Sequence, residues 1–221
     1  MVNKESQISG LYAIADYHYN PLPTLTGLIR KYLEGGCRLI QLRVKPNVDG
    51  ACGAKHAAQE EISGIANQIM KFKKEWDFTF IINDHVNIAA TVGADGVHVG
   101  ANDPPVSEIK KIYGSKLLVG YSSHSLEEAK RAEADGADYI AFGAIFPTAT
   151  KGPDHPIQGI EKLREVVNAI GKPIVAIGGI KRQNLSQIID SGASAAAMIT
   201  ALTQADDISS ETKWYVEKLK P

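Results

Sequence analysis

Short apolar runs alternate with longer stretches that carry helix-start and helix-stop signals along the whole chain. This alternation is typical of βα units that build a parallel sheet. Several runs are almost entirely apolar, as in Ile174–Ile177, which suits strands covered on both faces. The pattern predicts eight strands, namely Leu11–Ala15, Arg38–Val44, Phe78–Ile82, Gly96–Val99, Leu117–Gly120, Tyr139–Gly143, Ile174–Ile177 and Ala195–Ile199.

Glycines mark the ends of several predicted helices. Gly93, Gly136 and Gly192 each precede an alanine and then a strand, which indicates one repeated helix stop with a left-handed glycine cap. Ser125 and Glu128 have the spacing of a capping box, so a helix is expected to begin there.

The length of the chain fits eight repeated units. Dividing 221 residues by eight leaves about 28 per unit, enough for a strand, a helix and two short loops. No Pro/Ser-rich linker divides the chain, so we expect a single α/β domain over residues 1–221, a (β/α)8 TIM barrel with residues 1–10 as an N-terminal extension. An open doubly wound sheet is the alternative, but no Gly-rich dinucleotide motif follows the first strand.

Composition narrows the class of partner. The 24 Lys and Arg residues nearly balance the 25 Asp and Glu residues. The chain therefore lacks the net positive charge that would attract a nucleic acid or an acidic membrane. The N-terminal residues lack the apolar centre of a signal peptide, and no long apolar run follows, so a cytoplasmic protein is expected. Cys37 and Cys52 are too few for a disulfide framework and are expected to be reduced core thiols. A homo-oligomer is left open.

Polar residues end the second predicted strand, at the rim where TIM barrels place their active sites. Period-two alternation puts Gln41, Arg43 and Lys45 on one face. An exposed hairpin edge would show the same alternation. Within a barrel, the planar fork of Arg and the compact charge of Lys favour a polyanion such as diphosphate.

Carboxylates follow the next two strands. Asn83 and Asp84 end strand three, and Asp103 follows strand four. Capping of the next helix is the alternative role for Asn83 or Asp84. Two carboxylates at one rim suit Mg²⁺, and a diphosphate held by Arg, Lys and Mg²⁺ would explain why acidic and basic groups share this rim.

Hydroxyl groups follow strands five and six. Ser122 and His124 invite a nucleophile-and-base interpretation, but simple hydrogen bonding by Ser122 is favoured because no nucleophile-elbow pattern is present. Thr148, Thr150 and Lys151 form a hydroxyl-rich loop closed by a cation, which is either a flexible turn or part of an anion site. His98 lies inside strand four and is expected in the barrel interior.

The loops after strands seven and eight form a recurrent phosphate cradle in this architecture. Gly178 and Gly179 end strand seven, and Ile199 and Thr200 end strand eight. Glycine permits close approach of an anion to the backbone, and tight packing is the alternative reason for it. Two anion sites are therefore predicted, for two phosphorylated substrates or one long one.

The motifs occur together in an order that resembles the thiamine phosphate synthase family, whose members are (β/α)8 enzymes. The resemblance runs from about residue 11 to residue 202. It is carried by Gln41–Lys45, Asn83-Asp84, Gly96–Gly100 with Asp103, Gly120-x-Ser122, Pro147–Lys151 and Gly178–Ile180. It implies that hydroxymethylpyrimidine diphosphate is joined to hydroxyethylthiazole phosphate, or to its carboxylated form, with Mg²⁺ as cofactor.

The resemblance also implies residue roles. Asp84 and Asp103 would ligate Mg²⁺, while Arg43, Ser122 and Lys151 would act in catalysis. The residues implied to bind the two substrates are Gln41, Arg43, Lys45, Asn83 and Lys151 for the pyrimidine and its diphosphate, Ser122 for the pyrimidine, Thr148 and Thr150 for the thiazole, and Gly179, Ile199 and Thr200 for its phosphate.

The chain departs from the family pattern in four places. His85 stands where the family usually has Arg, Ala101 stands where it has Gln, and Thr200 replaces Ser. The run Ala195–Met198 on strand eight departs from the usual Gly-Val-Ala-Val. Because backbone groups do much of the binding there, we expect the phosphate site to survive with altered affinity or substrate choice.

Two other functions remain open. A thiazole tautomerase shares the barrel and uses a histidine near the position of His124, but it has no need of a diphosphate site. A non-catalytic barrel that binds thiamine precursors is the second alternative, supported only by Ala101 and by the departures on strand eight.

Overall fold

The computed structural model describes residues 7–45, 59–148 and 156–220. Eight parallel strands close into a barrel in sequence order, with β8 pairing to β1, so the predicted (β/α)8 TIM barrel is confirmed. The strands are β1 (Gly10–Asp16), β2 (Leu39–Arg43), β3 (Thr79–Asn83), β4 (Gly96–Val99), β5 (Leu118–Ser123), β6 (Tyr139–Gly143), β7 (Ile174–Ile177) and β8 (Ala195–Met198).

Helices pack around the outside of the barrel. In the described part of the chain they are α1 (Leu25–Glu34), α2 (Gln59–Met70), α3 (Val86–Val92), α4 (Val106–Tyr113), α5 (Leu126–Ala134), α6 (Gly159–Ala169), α7 (Leu185–Ile189), α8 (Thr200–Thr203) and α9 (Ile208–Lys218). Within the described ranges, none of these helices has the length and apolar character needed to cross a membrane.

Several strand ends differ from the prediction. β5 continues to Ser123, so Ser122 lies in the strand and not in the loop after it. β1 extends from Gly10 to Asp16, and Ile8 just before it is buried, so two residues of the predicted N-terminal extension take part in the barrel. Ile199 leaves β8 and becomes the N-cap of α8.

Along each strand, alternate side chains point inward and fill the barrel. The interior cluster combines large residues with alanines, among them Ile8, Tyr12, Leu39, Ile81, Leu118, Tyr139, Val175, Ala195 and Ala197. Gly120 faces Tyr139 across the β5–β6 pair, and a Cβ on Gly120 would lie 2.0 Å from the Tyr139 ring. Glycine is therefore required on β5 because the aromatic ring occupies the space of a side chain.

The repeated helix stop has a clear structural role. Gly93, Gly136 and Gly192 all adopt positive φ, as the left-handed cap requires.

An aspartate two residues after a glycine cap joins neighbouring strands. Asp95 accepts a hydrogen bond from Phe80 N at 2.7 Å and forms an ion pair with a lysine. Asp138 repeats the arrangement with Val119 N at 2.6 Å and Lys110 at 2.9 Å. Each aspartate thus ties a strand to the preceding one at the amino ends of the strands.

Two further local predictions can be compared with the structure. Ser125 Oγ accepts a hydrogen bond from Glu128 N at 3.1 Å, which confirms half of the capping box. The Glu128 carboxylate accepts from His124 N at 2.7 Å, not from Ser125 N as a complete box would require. Cys37 is a buried free thiol, as predicted, and burial raises its pKa to about 11. Cys52 lies outside the described residues.

Candidate active site

One cavity of about 400 Å³ opens at the carboxyl ends of the strands. Thirteen site residues were predicted. Two of them, Thr150 and Lys151, lie outside the described residues. The other eleven line the cavity, namely Gln41, Arg43, Lys45, Asn83, Asp84, Asp103, Ser122, Thr148, Gly179, Ile199 and Thr200. The two predicted anion sites are therefore opposite walls of a single space.

Arg43 reaches the cavity from the end of β2 and is held by an acidic residue at the end of β1. Arg43 Nη1 donates a hydrogen bond to Asp16 Oδ2 at 2.7 Å, and Asp16 is fully buried. The second carboxylate oxygen of Asp16 accepts from His18 N at 3.0 Å. Because both oxygens have donors, the buried charge is compensated and the guanidinium is fixed in one orientation.

The predicted metal residues lie side by side. Lys45 Nζ is 3.0 Å from Asp84 Oδ2, and Asp84 adopts a left-handed backbone with φ of 63°. Burial raises the pKa of the Asp84 carboxyl; Lys45 opposes this effect, and the charge of Asp103 adds to it. Asp103 Oδ2 accepts from Gly100 N at 2.8 Å, which orients its carboxylate. On this wall of the cavity, the carboxylates of Asp84 and Asp103 lie close together beside the ammonium group of Lys45.

This donor set fits a magnesium ion. Within the described ranges no cluster of three or more His, Cys, Asp or Glu side chains could hold a metal ion. Mg²⁺, however, keeps several waters and is commonly held by one or two carboxylates together with substrate phosphates. Burial is the largest cause of the raised pKa of the Asp84 carboxyl and the charge of Asp103 adds to it, so a cation beside the two carboxylates would stabilise their ionised forms.

Asn83 has a binding capacity that the described residues do not use. Its side chain is buried, lines the cavity, and its Nδ2 has no hydrogen-bond partner among the described residues. The N-cap of α3 is His85, and no side chain caps this helix, so neither Asn83 nor Asp84 has the capping role that was its alternative. His85 Nε2 lies 3.3 Å from Val44 O, and His85 is not among the residues that line the cavity.

Five side chains form a hydrogen-bonded line through the barrel interior, here named the buried network: Gln41, Tyr12, Tyr139, His98 and Ser122. Gln41 Nε2 donates to Tyr12 Oη at 2.8 Å, and Tyr12 Oη is 2.9 Å from Tyr139 Oη. His98 Nδ1 is 3.1 Å from Tyr139 Oη, and His98 Nε2 is 2.8 Å from Ser122 Oγ. His98 is thus an interior residue, as predicted, but it also contacts a predicted site residue.

Ser122 on β5 and His124 just after the strand do not form a nucleophile-and-base pair with each other. Ser122 Oγ is paired with His98, whereas His124 Nδ1 lies 3.4 Å from Glu128 Oε2. Both Ser122 and His124 line the cavity. The favoured prediction of simple hydrogen bonding by Ser122 therefore agrees with the contacts.

Two glycines with left-handed backbone lie on the opposite wall. Gly178 and Gly179 have φ of 100° and 65°, and a Cβ on either would lie within 2.5 Å of the segment after β6. Tight packing and left-handed backbone therefore both require glycine, while Gly179, Ile199 and Thr200 all line the cavity. Lys181, an exposed residue two positions on, lines the same wall and adds a positive charge.

Sequence reasoning missed four of these residues. Asp16 and Lys181 were detectable, because each follows a predicted strand at the functional rim. Tyr12 and Tyr139 share the interior parity of their strands, but nothing in the sequence pairs residues 127 positions apart. Their contact depends on closure of the barrel.

Comparison with known proteins gives consistent matches over nearly the whole chain. The model of the family described as thiamine monophosphate synthase matches residues 11–202. The thiamine-phosphate synthase of Shouchella clausii is 38% identical over 198 residues, covering 90% of each chain. That of Pyrococcus abyssi is 37% identical over 203 residues, covering 92% of this chain and 91% of the relative.

The fold comparison agrees with the sequence comparison. The solved structure of thiamine phosphate pyrophosphorylase from Pyrococcus furiosus superposes with a TM-score of 0.83 at 34% identity. The match covers 98% of this chain and 99% of that one.

Proposed function

The chain belongs to the thiamine monophosphate synthase family and is an enzyme of thiamine-phosphate synthesis, a group transfer, and we propose that its cavity holds both phosphorylated substrates of that reaction at once. The observation that carries this proposal is the pairing of two different walls in one cavity. Cations and carboxylates from β2 to β4 lie on one side, and the glycines after β7 together with Ile199 and Thr200 after β8 lie on the other.

The first substrate would be hydroxymethylpyrimidine diphosphate. Arg43 and Lys45 would neutralise the diphosphate, and Asn83 Nδ2 would donate the hydrogen bond that it lacks among the described residues. Gln41 and Ser122 would contact the pyrimidine ring. Arg43 is suited to this task because Asp16 holds its guanidinium before the substrate binds, which lowers the entropy lost on binding.

Asp84 and Asp103 would hold Mg²⁺ beside the diphosphate. The ion would supply positive charge to the leaving diphosphate, a form of electrostatic catalysis. The same two carboxylates would otherwise repel the diphosphate, so the proposal requires a cation between them and the substrate. Lys151, which lies outside the described residues, is proposed to reach the same group.

The second substrate would be hydroxyethylthiazole phosphate. Its phosphate would lie against backbone N–H groups near Gly179, Ile199 and Thr200, with Thr148 and Thr150 beside the thiazole ring. In the transfer, the bond between the pyrimidine methylene carbon and the diphosphate oxygen breaks, and diphosphate leaves with the electron pair. The thiazole nitrogen then supplies its lone pair to the methylene carbon. No protein nucleophile is needed, in agreement with the contacts of Ser122.

The test is to incubate the purified protein with both phosphorylated precursors and Mg²⁺, and to measure thiamine phosphate and diphosphate. Arg43→Ala should lower the rate at least about a hundredfold, since it removes a charged hydrogen-bonding group from the diphosphate. Arg164→Ala is the matched control, because Arg164 forms an exposed ion pair with Glu161 on α6. Equal rates for the two variants would contradict the placement of the diphosphate.

A thiazole tautomerase activity is the second candidate, and one observation favours it. His124 lines the cavity with Glu128 Oε2 3.4 Å from its Nδ1, an arrangement suited to proton transfer. The same preparation should therefore be offered thiazole carboxylate phosphate alone. Isomerisation without thiamine phosphate formation would favour the tautomerase, whereas the reverse would favour the synthase. The third alternative, a non-catalytic barrel, has no support from relatives named as synthases.

A further inference from the structure

The buried network has a hydrogen-bond direction that its own chemistry determines. A glutamine side-chain nitrogen can only donate, so Tyr12 Oη is an acceptor toward Gln41 Nε2. Tyr12 is 1% exposed, and its hydroxyl proton therefore requires an acceptor inside the barrel. Tyr139 Oη, 2.9 Å away, provides it.

The Tyr139 hydroxyl has an acceptor of its own further along the network. Tyr139 Oη, which accepts from Tyr12, is fully buried, so its proton goes to His98 Nδ1 at 3.1 Å. Burial raises the pKa of both tyrosine hydroxyls, so both keep their protons across the physiological range. His98 Nδ1 is then an acceptor, and a neutral His98 must carry its proton on Nε2.

The buried network ends at the cavity. His98 Nε2–H donates to Ser122 Oγ at 2.8 Å, and His98 is the only hydrogen-bond partner of that hydroxyl among the described residues. Ser122 also lines the cavity. Its own hydroxyl proton is therefore left to donate to a ligand. A pyrimidine ring presents unprotonated nitrogens, which are acceptors of the matching kind.

We infer that the buried network holds His98 as its Nε2–H tautomer and so makes Ser122 a hydrogen-bond donor to a ring nitrogen of the pyrimidine substrate. Tyr12, Tyr139 and His98 are positioning residues on this view, because each acts through the next. The inference rests on the proposed function for the identity of the ring. Gly120 supports the arrangement, since only glycine leaves room for the Tyr139 ring.

The tautomer can be measured without any substrate. Protein labelled with ¹⁵N-histidine is examined by long-range ¹H–¹⁵N NMR near neutral pH, and the His98 signals are assigned by their loss in His98→Asn. We expect the Nε2–H form in the native protein and a mixture of tautomers in Tyr139→Phe. Tyr215→Phe is the matched control, because Tyr215 is equally buried but lies on α9 outside the cavity. A native His98 with its proton on Nδ1 alone, or on both nitrogens, would overturn the inference.

Kinetics test the contact with the ring. Removing one neutral hydrogen bond should lower kcat/KM for the pyrimidine diphosphate about three- to tenfold in Tyr139→Phe and in Ser122→Ala, with KM for the thiazole phosphate unchanged. The double variant should be no worse than Ser122→Ala alone, because both changes remove the same donor. Additive losses would overturn the inference. Should Tyr139→Phe fail to fold, the tautomer of the native protein and the kinetics of Ser122→Ala still decide the inference, since neither measurement needs that variant.

The NMR measurement and the kinetic measurement test the inference and the proposed function separately. A native protein that forms no thiamine phosphate would overturn the proposed function and the assignment of the ring. The Nε2–H tautomer and its dependence on Tyr139 would still stand or fall by the NMR measurement alone.

Discussion

The guanidinium of Arg43 is bound to a carboxylate that has no contact with solvent: Arg43 Nη1 donates to Asp16 Oδ2 at 2.7 Å, and Asp16 is fully buried. The two residues end neighbouring strands, and the β1–β2 register places them opposite each other. Arg43 itself keeps 24% of its side chain exposed, on the cavity side. The pair therefore links the barrel core to the site proposed for the diphosphate.

Asp16→Asn should weaken substrate binding by releasing Arg43. We expect KM for the pyrimidine diphosphate to rise about tenfold and stability to fall by about 1–3 kcal/mol, less than for a pair buried on both sides. Asp138→Asn is the matched control, because it breaks a similar ion pair with Lys110 and leaves the cavity intact. A similar KM change in both variants would show that Asp16 acts only on stability.

Asp84→Asn should stabilise the protein while it abolishes thiamine phosphate formation. The pKa of the Asp84 carboxyl is raised above 3.8 in the folded state, so ionisation of this group opposes folding. The penalty is absent below the unfolded pKa and is fully present once the pH exceeds the raised folded pKa. The variant should therefore melt at most about 4 °C higher than the native protein near neutral pH, with the difference shrinking toward acid pH.

Magnesium provides the second measurement on the same variant. Added Mg²⁺ should raise the melting temperature of the native protein and have little effect on Asp84→Asn, because a ligand stabilises only the state that binds it. Asp77→Asn, at an exposed position, should respond to the ion as the native protein does. Equal stabilisation of all three proteins would argue against a metal site at Asp84.

Gly120→Ala should displace the Tyr139 ring. Its Cβ would lie 2.0 Å from Tyr139 Cζ, and overpacking of this kind costs about 1–3 kcal/mol or more. Gly27→Ala gives the contrast, since Gly27 lies exposed in α1, where the added Cβ has no atom within 4 Å apart from its chain neighbours and its own helix backbone. That change should stabilise the protein by about 0.5–1 kcal/mol. Chemical denaturation of both variants tests the pair, and a stable Gly120→Ala would contradict the packing.

Lys181→Ala should affect the thiazole phosphate side alone. The exposed ammonium group adds attraction to the backbone wall, so KM for the thiazole phosphate should rise about two- to fivefold at low salt and less at high salt. Lys213→Ala, on α9 and outside the cavity, is the control. An equal effect on both substrates would indicate general attraction of anions and no specific role of Lys181.

The sequence by itself determined the eight βα units, their order and the rim at which the polar residues meet. Hydrophobic periodicity and glycine stops are local signals, and a closed parallel barrel has one functional end. Gln41, Asp84, Ser122 and Thr200 can therefore be assigned to that end from the sequence alone.

Only the tertiary structure decided which of these groups touch. The register between β1 and β2 pairs Asp16 with Arg43, and closure of the barrel joins Tyr12 to Tyr139 across 127 residues. The buried network and the orientation of Ser122 follow from that closure. Such contacts depend on strand stagger and on the space that glycine leaves inside the barrel, and neither quantity is encoded in the spacing of residues along the chain.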